Sequence, residues 1–245
     1  MKKTTSKILN KIFPKKGFAT PSEVEKAEQT FYINYLCEGM TVFDVGANIG
    51  ELSLLFSRFV GKTGQVHAFE ASQSTFEKLT TICTLANRSQ IILNNKAVSD
   101  QEGILKLHVY DDDHSGWNSL ANRPLEKYGI KVTPMYIEEV KATTIDDYCT
   151  QNNILYIDLL KIDVEGAEYQ VLRGANNMLK NHQVKCCVFE FGQTTFDMGN
   201  NPNDIENYLK QLGYSVRNIV KDNPVFPGRS STENARFSVH VATLR

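Results

Sequence analysis

Acidic side chains next to apolar runs are the residues of this sequence best suited to chemistry. Asp163, Glu165 and Glu168 lie within six residues, where an apolar run ends and a helical pattern begins. Glu168 falls in the first helical turn, where a favourable interaction with the helix dipole is sufficient to explain it. Asp163 and Glu165 are therefore stronger site candidates, and Glu190 occupies a similar position at the end of the next apolar run. A carboxylate held rigidly after a core strand can act as a general base.

The polar stretch 111–130 contains a fourth candidate base, His114, and the single tryptophan, Trp117. Its Gly, Asn and Pro residues predict a loop or lid, and Trp117 is suited to stacking on a sugar face. An ordinary polar loop with one packing aromatic is the alternative explanation. Asp111 to Asp113 cannot all face one ion because they are consecutive, so we predict no metal site.

The segment Asp44-Val45-Gly46-Ala47-Asn48-Ile49-Gly50 predicts a turn between a strand and a helix. Gly46 and Gly50 allow a ligand to approach the backbone, and the next helix offers unpaired N–H groups. The dinucleotide fingerprint is not met, because Asn48 and Glu51 replace its second and third glycines. Asp44 suits a cationic ligand, such as the amino-acid end of S-adenosylmethionine. Tight packing of strand against helix is the alternative explanation for the glycines.

Glu70 ends the apolar run Val66-His67-Ala68-Phe69, 20 residues after Gly50. A carboxylate at this place can accept hydrogen bonds from both hydroxyls of a ribose. A solvated glutamate at the rim of the fold is the alternative. The small and polar residues 94–100 follow the third strand, where they either border an adenine or form a plain turn.

Strand and helix patterns alternate from about residue 20 onward and predict one domain over residues 20–245. Such alternation indicates a mainly parallel sheet with helices on both faces, and ligands of such sheets bind beyond the carboxyl ends of the strands. Capping boxes are predicted at Thr20-Pro21-Ser22-Glu23 and from Ser74 to Glu77. Strands are predicted at 40–45, 65–70, 91–93, 104–109, 159–164, 185–191, 214–218 and 236–242.

The bulk composition restricts the class of protein. Of 245 residues, 27 are Lys or Arg and 28 are Asp or Glu, which leaves a net charge of −1. We therefore predict no nucleic-acid partner, since that binding requires a basic face. The five cysteines lack CxxC spacing, which favours a reducing cytoplasm.

The first 19 residues form a basic arm with six lysines before residue 17. Ile8, Leu9, Ile12 and Phe13 are spaced as one face of a helix. Two interpretations stay open: a helix in weak contact with a membrane surface, and a mobile arm or a helix docked on the domain. The arm lacks the uninterrupted apolar core of a signal peptide, and we predict no stable membrane insertion.

Five short segments together carry a family resemblance. With its DVGANIG turn, AFE strand end, NKAVSD turn, TTIDDY segment and KIDVEGAE motif, the sequence resembles the FkbM family of S-adenosylmethionine-dependent methyltransferases. The similarity runs in order from about residue 38 to residue 214. It implies a Rossmann-like, seven-stranded sheet with an antiparallel last strand. It also implies S-adenosylmethionine as cofactor and methylation of a hydroxyl on a sugar, glycan or small natural product.

The resemblance also implies roles for particular residues. Asp163 would lie near the sulfonium, and residues 111–135 would help to form the acceptor pocket. Ala71 stands where the family usually has proline, in the adenosine loop. The methionine portion would be held by Asp44, Gly46, Asn48 and Gly50, the ribose by Glu70, and the adenine edge would be bordered by Ala97. A nucleotide-binding oxidoreductase and a non-catalytic S-adenosylmethionine-binding protein are the alternatives on the same fold.

Overall fold

The computed structural model describes residues 17–245, so most of the predicted basic arm lies outside the described residues. A seven-stranded sheet has the order β3-β2-β1-β7-β8-β10-β9, in which β10 alone runs antiparallel to its neighbours. The predicted Rossmann-like fold is confirmed. The strands of this sheet are β1 Thr41–Val45, β2 Gln65–Phe69, β3 Ile91–Asn94, β7 Leu159–Ile162, β8 Cys186–Phe191, β9 Tyr214–Asn218 and β10 Ser238–Leu244.

Helices cover both faces of this sheet because alternate strand residues point to opposite sides. Phe43 and Leu160 pack into one buried cluster, whereas Val42 and Leu159 pack into the other. The helices are α1 Pro21–Tyr35, α2 Glu51–Val60, α3 Gln73–Leu85, α4 Ile145–Gln151, α5 Glu168–Gly174, α6 Asn176–Lys180, α7 Gln193–Asp197 and α8 Pro202–Gln211. Among the described residues, no helix combines the length and apolar character needed to cross a membrane.

The two predicted helix caps differ in outcome. The capping box at Thr20 and Glu23 is present at the start of α1 and is confirmed. The predicted cap at Ser74 is wrong, because α3 begins at Gln73 with Ser72 as its N-cap. The carboxylate of Glu77 accepts a hydrogen bond from the side chain of Gln73 instead of turning back to the helix end.

A second, three-stranded sheet was not predicted as such. It consists of β4 Ala97–Val98, β6 Tyr136–Thr143 and β5 Gly103–Val109, in that spatial order. Strand β5 was expected at 104–109, whereas β6 was missed because its run alternates with charged residues. Val109 pairs with Tyr136 across the antiparallel β5–β6 ladder. The chain between them, residues 110–135, is called the acceptor segment below; it contains two 3-10 turns, Asp112–Trp117 and Leu125–Tyr128.

Gly50 is required by the packing of α2 and α3. Its φ is +92°, and a Cβ there would lie 2.5 Å from Cδ1 of the buried Leu79. Gly50→Ala is therefore expected to lower the free energy of unfolding by about 1–2 kcal/mol through backbone strain. Crowding against Leu79 should add about 1–3 kcal/mol. Urea unfolding of both proteins measures the loss.

Gly129→Ala is the matched control for this prediction. Gly129 also has a positive φ, of +77°, but no atom lies within 4 Å of the Cβ position. Only the backbone strain should appear in this variant. Equal losses in the two variants would show that contact with Leu79 does not determine the need for Gly50.

Candidate active site

The register of the central strands brings four predicted site residues to one edge of the sheet. Val45 pairs with both Phe69 and Ile162, so the next residues, Gly46, Glu70 and Asp163, emerge at the same level. Ile162 in turn pairs with Phe189, which places Glu190 beside Asp163.

Gly46 is the point where the β1 turn comes closest to β7. Its φ is +79°, and a Cβ there would lie 1.7 Å from the carbonyl oxygen of Asp163. Any other residue would therefore push the turn away from the strand end that carries Asp163. Gly46 also lines the crevice described below, so close packing and ligand access require glycine at the same position.

A buried ion pair lies behind this turn. Asp44 and Lys161 are register partners on β1 and β7, and both are almost fully buried. Nζ of Lys161 lies 3.0 Å from Oδ1 of Asp44 and donates to the carbonyl oxygen of Gly46 at 2.9 Å. Ser53 donates to the other carboxylate oxygen of Asp44 at 2.6 Å. Burial alone would lower the pKa of Lys161, but the Asp44 and Asp163 carboxylates outweigh it and raise that pKa.

Glu70 is held by two backbone N–H groups. Oε2 accepts a hydrogen bond from the N–H of Asn48 at 3.0 Å, and Oε1 accepts one from the N–H of Ser72 at 2.9 Å. Burial raises the pKa of Glu70 to about 7, although both hydrogen bonds act in the opposite direction. The carboxylate is therefore fixed at the strand end, and each oxygen retains a further acceptor position.

A crevice of about 660 Å³, open solvent included, lies over these strand ends. Asn48 lines it with its Oδ1 buried, and that oxygen has no hydrogen-bond partner among the described residues. Two of the predicted site residues, Asp44 and Gly50, do not line the crevice. The predicted site residues that line the crevice are Gly46, Asn48, Glu70, Ala71, Ala97, Asp163 and Glu165.

A second cavity of about 740 Å³, open solvent included, adjoins the crevice and shares Asp163 and Glu165 with it. Its wall also contains Glu190, Phe237 and Arg123. Burial, with the nearby charge of Asp163, raises the pKa of Glu165 to about 8. Burial and the charges of Asp163 and Glu165 raise the pKa of Glu190 well above its ordinary value.

His114 lies in the first 3-10 turn and contacts residues of its own segment. Its Nδ1 is 2.6 Å from the Asp111 carboxylate, and its ring lies 4.6 Å from that of Trp117. It lines neither cavity, whereas its neighbours Ser115, Gly116 and Asn118 line the crevice. The start of the acceptor segment therefore covers the crevice through small and polar residues.

Two charged residues of the site were not predicted. Lys161 lies within an apolar strand, and its neighbour across the ladder is Asp44. A lysine within such an apolar run was the signal in the sequence that could have indicated a buried, paired charge. Arg123 lies in the irregular acceptor segment, where no periodic pattern reveals its position. Nη1 of Arg123 is 3.2 Å from Oε2 of Glu165. Among residues 17–245, no cluster of three His, Cys, Asp or Glu residues has metal-site geometry.

The fold and this crevice define a Rossmann-like methyltransferase, and comparison with known proteins gives the family. Residues 44–216 match the family model of the methyltransferase FkbM domain. The chain therefore belongs to the FkbM family of S-adenosylmethionine-dependent methyltransferases, as its motifs predict.

Particular relatives show how far the similarity extends. The chain is 31% identical over 210 residues to the 31-O-demethyl-FK506 methyltransferase FkbM of Streptomyces tacrolimicus, covering 78% of this chain and 77% of that protein. It is 25% identical over 199 residues to the hexuronic acid methyltransferase AglP of Haloferax volcanii, covering 80% and 73%. The crystal structure of the methyltransferase FkbM from Methylobacillus flagellatus aligns with a TM-score of 0.50 and 14% identity. That alignment covers 83% of this chain but only 43% of the other.

The residues of the crevice fit the cofactor S-adenosylmethionine. Oδ1 of Asn48, which has no hydrogen-bond partner within residues 17–245, is an acceptor beside the glycine turn, suited to an ammonium group. Glu70 offers acceptor positions for ribose hydroxyls, and Asp163 places a carboxylate where a cation would be stabilised. These assignments are proposals that agree with the shape and charge of the wall.

Lys161→Met is expected to lower the free energy of unfolding by about 3–5 kcal/mol, because it leaves the buried Asp44 carboxylate without its counter-charge. The double variant Asp44→Asn/Lys161→Met should recover a large part of that loss. Urea denaturation measures both.

Lys185→Met is the control, since the Lys185–Asp158 pair is largely exposed on the lysine side. Such a pair contributes about 0–1 kcal/mol. A loss in Lys161→Met no larger than in Lys185→Met would contradict a stabilising role for the buried pair.

Proposed function

We propose that this protein transfers a methyl group from S-adenosylmethionine to the oxygen of a hydroxyl on a sugar, glycan or small natural product. The observation that carries the proposal is the meeting of the two cavities at Asp163 and Glu165. One cavity has the residues expected for the cofactor, and the other has space for an acceptor beside carboxylates. The names of the two relatives, one acting on a demethylated natural product and one on a hexuronic acid, support this acceptor class.

When bound, the cofactor supplies an electrophilic methyl group on a positively charged sulfur. The task of the protein is then to hold the acceptor oxygen in line with that methyl group. Alignment of this kind is worth up to about 7–11 kcal/mol of the barrier. The shared wall at Asp163 and Glu165 is the only part of the described residues that borders both cavities.

Glu165 is the base that this geometry favours. The acceptor oxygen loses its proton as it attacks, and Glu165 reaches the junction from the turn after β7. A carboxylate with a pKa of about 8 is a stronger base than an ordinary glutamate and becomes ionised as the pH rises through that value. Burial and the neighbouring carboxylates raise the pKa of Glu190 well above its ordinary value, which favours a role as hydrogen-bond donor to the acceptor. His114 is the less favoured base, since it lines neither cavity.

The acceptor is expected to be uncharged where it contacts the protein. Three carboxyl groups border the second cavity. The guanidinium group in its wall, that of Arg123, already faces the carboxylates of Glu165 and Asp197. Hydroxyl groups can donate to these carboxyl oxygens, whereas an acceptor carboxylate would be repelled on ionisation of Glu165. The aromatic ring of Phe237, 37% exposed, offers an apolar surface for a sugar ring or macrocycle.

Glu165→Gln should lower the single-turnover rate about 10²–10⁴-fold, because the proton acceptor is lost. Its affinity for S-adenosylmethionine should remain near that of the unchanged protein. The assay supplies methyl-labelled S-adenosylmethionine with fractionated glycans and metabolites of the host, and then follows the labelled product.

Glu126→Gln is the control for this assay, because Glu126 is an exposed glutamate of the acceptor segment that lines neither cavity. Label on nitrogen rather than oxygen would contradict the acceptor class. An unchanged single-turnover rate in Glu165→Gln would remove Glu165 as the base.

Glu70→Gln should weaken S-adenosylmethionine binding about 10- to 100-fold, since hydrogen bonds to a charged carboxylate are lost. In the unchanged protein, binding should strengthen as the pH rises through about 7, where the Glu70 carboxyl ionises. That part of the pH dependence should vanish in the variant. Calorimetric titration between pH 6 and 9 measures both effects.

Glu165→Gln serves as the comparison in these titrations, because Glu165 titrates near pH 8 at the same crevice. It should retain the change near pH 7. If Glu70→Gln binds with unchanged affinity and unchanged pH dependence, Glu70 does not hold the ribose.

A further inference from the structure

The acceptor segment makes two hydrogen bonds to Glu165, in the turn after β7. The hydroxyl of Ser119 donates to the backbone carbonyl oxygen of Glu165 at 2.7 Å. Nη1 of Arg123 donates to the Glu165 carboxylate at 3.2 Å. The segment therefore holds both the backbone and the side chain of this residue. Glu165 itself has a φ of +52°, a conformation that needs support from its surroundings.

Arg123 is built into the molecule rather than lying on its surface. Its side chain is 10% exposed, and its guanidinium lies 5.9 Å from the centre of the Trp117 ring. Nε lies 3.6 Å from Oδ2 of Asp197, at the end of α7. The hydroxyl of Tyr128 donates to the other carboxylate oxygen of Asp197. A buried guanidinium between two carboxylates fixes direction as well as charge, because its donors form a rigid fork.

The environment of Glu165 contains more negative than positive charge. Asp163 and Glu168 approach it from its own turn, Glu190 from β8 and Tyr110 from the start of the acceptor segment. Arg123 is the cation that acts on it and lowers its pKa, against burial and Asp163. Asp197 faces Arg123 from the other side.

We propose that Arg123 is the positioning residue of the reaction: it fixes the carboxylate of Glu165 at the junction of the two cavities and places a positive charge beside it. This inference rests on the proposed role of Glu165 as base.

The test compares Arg123→Gln with Arg123→Lys and Tyr128→Phe. Without the guanidinium, the pKa of Glu165 should rise by about 1–3, the usual effect of a nearby opposite charge. Carbon-13 NMR of glutamate-labelled protein without acceptor measures this pKa, and the Glu165→Gln spectrum identifies the signal. In Arg123→Lys the pKa of Glu165 should rise less than in Arg123→Gln, because lysine keeps the positive charge.

The rate should follow the same ionisation. The acidic limb of the kcat–pH profile should move to a pH higher by about 1–3 in Arg123→Gln, which lowers kcat at pH 7 about 10- to 1000-fold. The activity should recover at higher pH, which a merely misfolded protein would not show.

Tyr128→Phe is the matched control, because it loosens the same segment at Asp197 and leaves the guanidinium on Glu165. It should leave the Glu165 titration unchanged. A Glu165 signal that titrates identically in Arg123→Gln would overturn the inference, as would an equal shift in Tyr128→Phe. Failure of the proposed function is distinct: Glu165→Gln would then turn over normally, whatever the NMR titration shows.

Discussion

The pairing of Asp44 with Lys161 connects the fold to the site. These residues are neighbours across the β1–β7 ladder, and the lysine also donates to the carbonyl oxygen of Gly46. The ammonium group therefore joins the two central strands and the turn that begins the crevice. Two isolated charges at this depth would be costly, and their ion pair, with the hydrogen bonds from Ser53 to Asp44 and from Lys161 to Gly46, offsets that cost. The turn is consequently held from behind by atoms that no ligand needs to contact.

Several carboxyl groups with raised pKa values lie along the edge of the sheet in front of this pair. Glu70, with a pKa of about 7, is fixed by backbone N–H groups, whereas Glu165, at about 8, is exposed to both cavities. Glu190 lies further along, where burial and the charges of its neighbours raise its pKa well above the ordinary value. Neighbouring carboxyl groups with different pKa values can take different roles, such as binding, proton removal and hydrogen-bond donation. A bound cation would favour ionisation of this whole set, so cofactor and base would support each other.

Much of the fold and part of the site could be predicted because they depend on local patterns. The alternation of strands and helices, the glycine turn and Glu70 at a strand end are properties of short segments. Lys161 and Arg123 were missed because their importance arises from register and from a long loop, which no periodicity encodes. Gly50 illustrates a different difficulty: the sequence indicated a special backbone position, but Leu79 of another helix is what it accommodates.

The small three-stranded sheet holds the acceptor segment at both of its ends. The strand residues on either side of it, Val109 and Tyr136, are register partners, and the N–H of Met135 donates to the carbonyl oxygen of Val109 at 2.7 Å. The segment therefore leaves and re-enters the fold at one point, whatever its length. Lengthening such a loop adds only a slowly growing closure entropy. The residues of the segment can therefore change in number or kind while the strand ends that line the crevice keep their arrangement.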